Sequence, residues 1–545
     1  MANIPTANTR PFAQASFASI AALCFAAGAA GGFSFAPSPL GFLALVCFVP
    51  LLLGIEELIY RNVPFRKHLL LNYIFFFAFH GAGNWWVMSW QKETDPFLMI
   101  AGAALWLGHP FFLMPAFLLY RSIRSRYSEA RALMVLPFLC TAIEWLHSLT
   151  DASYPWLAVG YTQVYHTILI QSADVWGVWG VGWLIYCMNA VLAWWVMQRQ
   201  IMQREAIAFG AALVILLGYG AWRMSSVDAA MSDATKIRAS VVQPNINPWQ
   251  KWDGDIHSMI EQHIRLQDSV NALTQSDISI WSETAIPDDL QLPQNAHHAA
   301  RLHAWVDSSN TALLTGTADY VFYPAATAPP TARRSPLNPD LKWTIFNAAA
   351  LYSQGDTGTS IHHKSRLTPF GEGVPFSDDL TFLRSWLNWG VGISGWNKGG
   401  GATVLPLRRG NDTAARIGPV ICIESVYPSF VADYARRGAD ILSVITNDAW
   451  YDGTAGPEQH YCIARLRAVE SRRAIIRCGN SGISGLIDAC GRSVQQEQPR
   501  TPLAATYSAP LLHIITPYMT LGDWLPMLSC VVMFGVVLRI RFIKK

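Results

Sequence analysis

The chain has 545 residues, of which 52% are apolar and 14% charged, against about 25% charged in an average soluble chain, so much of it must sit in lipid; its mean hydropathy is +0.23. A net charge of +3 is too small for this length to suggest a nucleic-acid partner, which would call for a concentrated basic face. The nine cysteines lack CxxC or Cys/His ligand spacing, so no disulfide framework, metal or cofactor is expected.

Apolar runs near the length that spans a ~30 Å hydrocarbon layer fill the first 222 residues. They lie at Phe12 to Phe35, Leu40 to Ile55, Leu69 to Trp86, Phe97 to Tyr120, Ala132 to Trp145, Val175 to Met197 and Ala206 to Trp222, with an eighth at Leu521 to Leu538. Basic clusters fall at Arg61, Arg66 and Lys67; at Arg121, Arg124, Arg126 and Arg131; at Arg199 and Arg204; and at Arg539, Arg541, Lys544 and Lys545. Lys and Arg in short loops stay on the cytoplasmic side, so this alternation puts the amino terminus inside and the segment from Arg223 to Met519 outside. Small residues near Ala29 resemble the end of a cleavable leader, but removing the first run would break the alternation. The expected organisation is a seven-helix membrane domain over residues 1–222, an outward-facing domain over 223–519, and a final membrane helix with a basic tail over 520–545.

Between Arg223 and Met519 the pattern changes to short apolar runs separated by turns, which reads as an α/β domain. Strands are expected at Ile237 to Val242, Ile278 to Trp281, Ala312 to Thr315, Ala348 to Tyr352, Pro419 to Ile423, Ile441 to Ile445 and Ala474 to Arg477. Apolar residues at helical spacing mark Asp255 to Leu273 and Gln459 to Arg472. Pro324 to Pro339, rich in Pro, Thr and Ala, reads as a loop.

Three strand ends each deliver a reactive group: Glu283 in Trp281-Ser-Glu-Thr-Ala-Ile-Pro287, Lys364 in His362-His-Lys-Ser-Arg-Leu, and Cys422 in Val420-Ile-Cys-Ile-Glu-Ser425. Singly, each has a bland reading, since a cysteine after an apolar run is more often buried structure and a strand-end Glu or Lys is usually solvated. Their combination, in this order and with these flanks, is specific. It resembles the nitrilase, or carbon-nitrogen hydrolase, superfamily. The membrane runs, together with Tyr154-Pro-Trp-Leu-Ala-Val-Gly-Tyr-Thr-Gln163, Thr446-Asn-Asp-Ala-Trp-Tyr451 and Gly456-Pro-Glu-Gln-His460, make nearly the whole chain similar to the apolipoprotein N-acyltransferase family.

That resemblance implies a polytopic membrane domain joined to an extracytoplasmic nitrilase-like four-layer (αββα) sandwich, in the bacterial inner membrane with the catalytic domain facing the periplasm. It implies Glu283 as base, Lys364 as charge stabiliser and Cys422 as the nucleophile that carries an acyl group as a thioester. The donor would be a phospholipid, phosphatidylethanolamine in the first instance, and the acceptor the amine of a diacylated apolipoprotein. Glu372 matches a second carboxylate that orients Lys364, with a plain turn residue as the bland reading. Glu424 matches a position beside the nucleophile or pairs with a nearby Arg. The Ile423 backbone N–H is a candidate oxyanion donor. Trp252 matches a tryptophan at the substrate entrance or simply packs, and Phe382, Trp386, Trp389 and Trp396 read as an aromatic arm at the membrane interface or as core. Glu144, near the end of a membrane run, contacts head groups or ties helices together. Two further readings use the same residues: a membrane-tethered amidase or hydrolase with water as acceptor, and a non-enzymatic lipoprotein-binding protein, against which the intact reactive set argues.

Overall fold

A computed structural model describes residues 10–88, 96–335, 338–356, 358–376, 395–410 and 412–542. The chain forms two compact units, divided near Ser225 and again near Leu521.

In the helical unit, six helices among the described residues are long and apolar enough to cross a membrane, one of them the continuous Gln203–Asp233, and Phe17–Gly32 is a shorter apolar helix. Side chains such as Val214, Ile215 and Trp222 on Gln203–Asp233 are exposed, which is tolerable only if lipid covers them. Phe17–Gly32 packs closely on Phe65–Asn84, because a Cβ at Gly28 would collide with the Phe75 carbonyl oxygen and one at Gly32 with that of Phe79; small residues allow this approach where water-driven packing is absent. Glu144 accepts the Val159 backbone N–H and the Tyr186 hydroxyl, both at 3.0 Å. It therefore ties the Tyr154–Gln163 segment to the helix Ala173–Gln198, as a buried carboxylate in such surroundings requires.

The second unit is built on two sheets. The strands are β1 (Lys236–Gln243), β2 (Ile278–Trp281), β3 (Ala312–Pro324), β4 (Arg333–Arg334), β5 (Leu341–Tyr352), β6 (Ser360–His363), β7 (Leu405–Arg409), β8 (Asp412–Ile421), β9 (Ile441–Thr446), β10 (Ile475–Gly479), β11 (Gly485–Ile487), β12 (Ser493–Gln496) and β13 (Leu503–Pro510). One sheet runs β13-β1-β2-β3-β5-β4 with β6 against β5, and the other runs β12-β11-β10-β9-β8-β7. The central pairs β1–β2, β2–β3, β8–β9 and β9–β10 are parallel.

Alternation along the strands explains the layering. Val241, Ile280, Leu314, Ile417, Ile441, Ile445 and Ile476 share one buried core that joins the two sheets. Their neighbours point the other way: Val242, Trp281 and Leu313 pack with Ile260 and Ile264 of helix Ile256–Asn271 and Leu302 and Trp305 of helix Ala296–Ser309. On the second sheet Val420, Leu442, Val444 and Ile475 meet Val431 and Tyr434 of helix Pro428–Arg436 and Tyr461, Ala464 and Ala468 of helix Gly456–Ser471. The result is the helix–sheet–sheet–helix order that the resemblance implies. Two local expectations differ. The strand expected to reach Ile423 stops at Ile421, where Cys422 turns to φ +51°, and the loop expected over Pro324–Pro339 contains β4, because Arg333 and Arg334 pair with Trp343 and Lys342.

Candidate active site

Parallel strands present their carboxyl ends on one side, where the chain must leave the sheet and polar groups can converge. Glu283 follows β2, Cys422 follows β8, Asn447 follows β9, and Lys364 follows β6 on the edge beyond β5. Gly316 on β3 permits the turn that carries Glu283. A Cβ there would lie 2.6 Å from the Ser282 carbonyl oxygen and 2.7 Å from the Glu283 Cα.

The Lys364 ammonium, 1% exposed, donates to Glu283 Oε1 and to Glu372 Oε1, both at 2.8 Å. Burial works to lower its pKa, but the two carboxylates outweigh that and hold it well above the usual lysine value, so it stays charged. Among the described residues two of its three donors are spent on carboxylates, leaving one for a substrate atom. The other oxygens are also held: Glu283 Oε2 accepts the Asn447 backbone N–H at 3.0 Å, and Glu372 Oε2 that of Thr368 at 2.9 Å.

Cys422 is partly exposed while its neighbours are buried. Burial pushes its thiol up, the Glu283 carboxylate pushes it further, and Lys364 opposes both. A resting thiolate is therefore disfavoured, and the proton must leave as the sulfur attacks, to a base that is already close. Ile423 is the second residue of the short 3₁₀ turn Cys422–Val426 that the nucleophile opens, and the first N–H groups of such a turn lack partners within it, which suits an oxyanion donor.

Glu424 is fully buried. It pairs with no Arg side chain among the described residues; it accepts the backbone N–H of Ile421 at 2.8 Å, of Ser365 at 2.6 Å and of Arg366 at 3.4 Å. One carboxylate thus pins the nucleophile turn to the chain just beyond Lys364. Trp252 is 41% exposed and its ring lies 6.1 Å from that of Trp396. Phe382, Trp386 and Trp389 lie outside the described residues.

Further contributors have no role assigned from the sequence: Lys251 and Asn347 lie outside the quoted motifs, and Asp448 and His460 lie inside them. The Lys251 ammonium donates to the Glu283 carbonyl oxygen at 3.0 Å and to Thr284 Oγ1 at 3.1 Å, supporting a residue at φ +44°. Burial lowers its pKa to about 8 despite the pull of Glu283. Asn347 Nδ2 lies 2.8 Å from Glu283 Oε1 and 3.1 Å from Glu372 Oε1. Beneath Cys422, its carbonyl oxygen meets Ser425 Oγ at 2.9 Å and His460 Nε2 at 3.1 Å, while His460 Nδ1 lies 2.8 Å from Asp448 Oδ1. Cys422, Asp448 and His460 bring thiol, carboxylate and imidazole within 4.8 Å of one another. Arg477 Nη2 stands 2.6 Å from Asp448 and 3.0 Å from His460, so a fixed positive charge already meets the carboxylate a metal would need.

Comparison with known proteins gives two family matches: residues 27–191 to the apolipoprotein N-acyltransferase N-terminal domain and residues 238–499 to carbon-nitrogen hydrolase. A protein of Chlorobaculum tepidum named apolipoprotein N-acyltransferase is 31% identical over 517 residues, 92% of each chain. One of the same name from Allorhizobium ampelinum is 32% identical over 493 residues, 87% of this chain and 86% of the other. A third, from Pseudomonas syringae, is 27% identical over 530 residues, 96% and 97% of the two chains.

Proposed function

The chain belongs to the apolipoprotein N-acyltransferase family, and from that premise we propose that it moves a fatty acyl group from a phospholipid, through a thioester on Cys422, to the amino-terminal amine of a diacylated lipoprotein. The observation that carries this reading is the Lys364 ammonium, 2.8 Å from both Glu283 and Glu372, beside a partly exposed cysteine whose thiol is pushed up first by burial and then by the Glu283 carboxylate, with Lys364 opposing both. Glu283 takes the thiol proton as Cys422 Sγ attacks the ester carbonyl carbon. The oxyanion that forms is met by the free N–H of Lys364 and by the Ile423 backbone N–H, and one such preorganised donor contributes roughly 3–4 kcal/mol of barrier lowering. The C–O bond then breaks, Glu283 protonates the departing alcohol, and a lysophospholipid leaves. In the second half the amine nitrogen attacks the thioester, its proton passes to Glu283, the C–S bond breaks, and the thiolate recovers the proton. Ester and amine have become amide and alcohol.

Phosphatidylethanolamine is the proposed donor. Its amine lies on the head group, away from the reacting ester, and it is already membrane-bound, as the polytopic helical unit requires. The alternation of basic loops supports placement in the inner membrane with the catalytic unit on the periplasmic side.

Purified protein incubated with radiolabelled phosphatidylethanolamine should retain label that neutral hydroxylamine releases, and a diacylated lipopeptide should discharge it into a triacylated product. Equal label on Cys422→Ser would defeat the thioester. Discharge only as free fatty acid would identify a hydrolase instead.

A further inference from the structure

Asn347 interrupts the run Phe346-Asn-Ala-Ala-Ala-Leu351 with a polar side chain at 2% exposure on β5, where a buried amide must find partners. Its Nδ2 donates to Glu283 Oε1 at 2.8 Å and to Glu372 Oε1 at 3.1 Å, the same two oxygens that the Lys364 ammonium holds at 2.8 Å each. Its backbone carbonyl accepts the Lys364 N–H at 2.8 Å. Two donors therefore bridge two carboxylates, and one residue fixes all three charged groups. The amide orientation follows from charge, because turning it over would set Oδ1 against two carboxylate oxygens; as it stands, Oδ1 is without a partner among the described residues.

We infer that Asn347 is a positioning residue of this site, its amide clamping Glu283 and Glu372 to Lys364 and leaving Glu283 Oε2 as the atom that takes the thiol proton. This rests on the proposed thioester chemistry. Oε1 carries one ammonium and one amide donor, and protonating it would displace one of them. Among the described residues Oε2 carries only the Asn447 backbone N–H at 3.0 Å and keeps a lone pair open. The donor's neutrality matters too. A second cation here would neutralise the set, whereas an amide orders the carboxylates and leaves a formal charge of one negative on Glu283, Lys364 and Glu372 together.

The test uses the full-length enzyme in lipid nanodiscs and reads single-turnover acyl-enzyme formation from phosphatidylethanolamine as a function of lipid concentration. Wild type, Asn347→Ala and Asn347→Thr are compared, the last keeping one hydroxyl donor and a strand-favouring shape. The saturating rate in Asn347→Ala should fall about tenfold, as expected for loss of one charge-assisted hydrogen bond, with the lipid concentration for half-maximal rate unchanged, and Asn347→Thr should recover part of it. A saturating rate in Asn347→Ala close to that of wild type, a rate loss that tracks a lower melting temperature, or no recovery in Asn347→Thr would make Asn347 a packing residue and overturn the inference. Absence of acyl-enzyme in the wild type would instead remove the thioester reading beneath it.

Discussion

Cys422 sits at φ +51°, a backbone conformation that costs a non-glycine residue on the order of 1–2 kcal/mol and persists only where the surroundings enforce it. Glu424 supplies much of that enforcement. It gathers the N–H of Ile421 from one side of the turn and those of Ser365 and Arg366 from the other, so nucleophile and lysine loops cannot drift apart. Replacing it with Gln keeps the volume but turns one acceptor into a donor facing backbone N–H groups, which strands buried donors at a cost of about 1–3 kcal/mol each. Glu424→Gln should therefore lower the midpoint of thermal unfolding and slow acyl-enzyme formation at least tenfold. Glu424→Asp, too short to reach both loops, should not restore the rate.

Neighbouring strands impose a similar constraint. The turn after β2 lies against β3 so closely that Gly316 N–H bonds to the Ser282 carbonyl at 3.2 Å and the Gly316 carbonyl accepts the Ile286 N–H at 3.1 Å. A methyl group at 316 meets backbone, which cannot swing aside as a side chain would. Gly316→Ala should displace Glu283, cost about 1–3 kcal/mol of stability, and reduce thioester formation by more than the stability loss explains when both are measured below the melting transition. None of this was readable in the sequence, because a glycine in a strand announces only that something comes close. The sheet centres were readable: β1, β2, β9 and β10 are short apolar runs bounded by turns. Edge strands were not. β12 is exposed at every position and β13, Leu-Ala-Ala-Thr-Tyr-Ser-Ala-Pro, is made largely of small residues, so neither carries the apolar alternation that marks a half-buried strand. Glu283, Lys364 and Cys422 were legible through their flanking motifs. Asn347 and Lys251 act through contacts between segments far apart in the chain, which no local pattern encodes, and the motif that ends at His460 does not disclose that its imidazole meets the Cys422 carbonyl.

At the scale of the whole chain, the reaction requires that both substrates be drawn from a membrane, and the sequence has one strong statement about orientation. Its basic clusters recur at Arg61 to Lys67, Arg121 to Arg131, Arg199 to Arg204 and Arg539 to Lys545, each flanking an apolar helix, while the loops between them are poor in Lys and Arg. Moving such loops outward opposes the positive-inside bias, which is the argument for the proposed topology over its mirror. Alkaline phosphatase, active only outside the cytoplasm, should be active when fused after Asp233 and inactive when fused after Arg126, after Arg204 or at Lys545. A fluorescent protein that matures only in the cytoplasm should give the reverse set. Activity of the phosphatase at Arg126 or Lys545 would invert the chain, put Cys422 on the cytoplasmic side, and remove a periplasmic lipoprotein as its acceptor. If the basic residues at 121, 124, 126 and 131 set this orientation, replacing all four with Gln should produce a mixed population in both reporters, and the fraction of correctly oriented chains should scale with the lipopeptide acylation recovered from the same membranes.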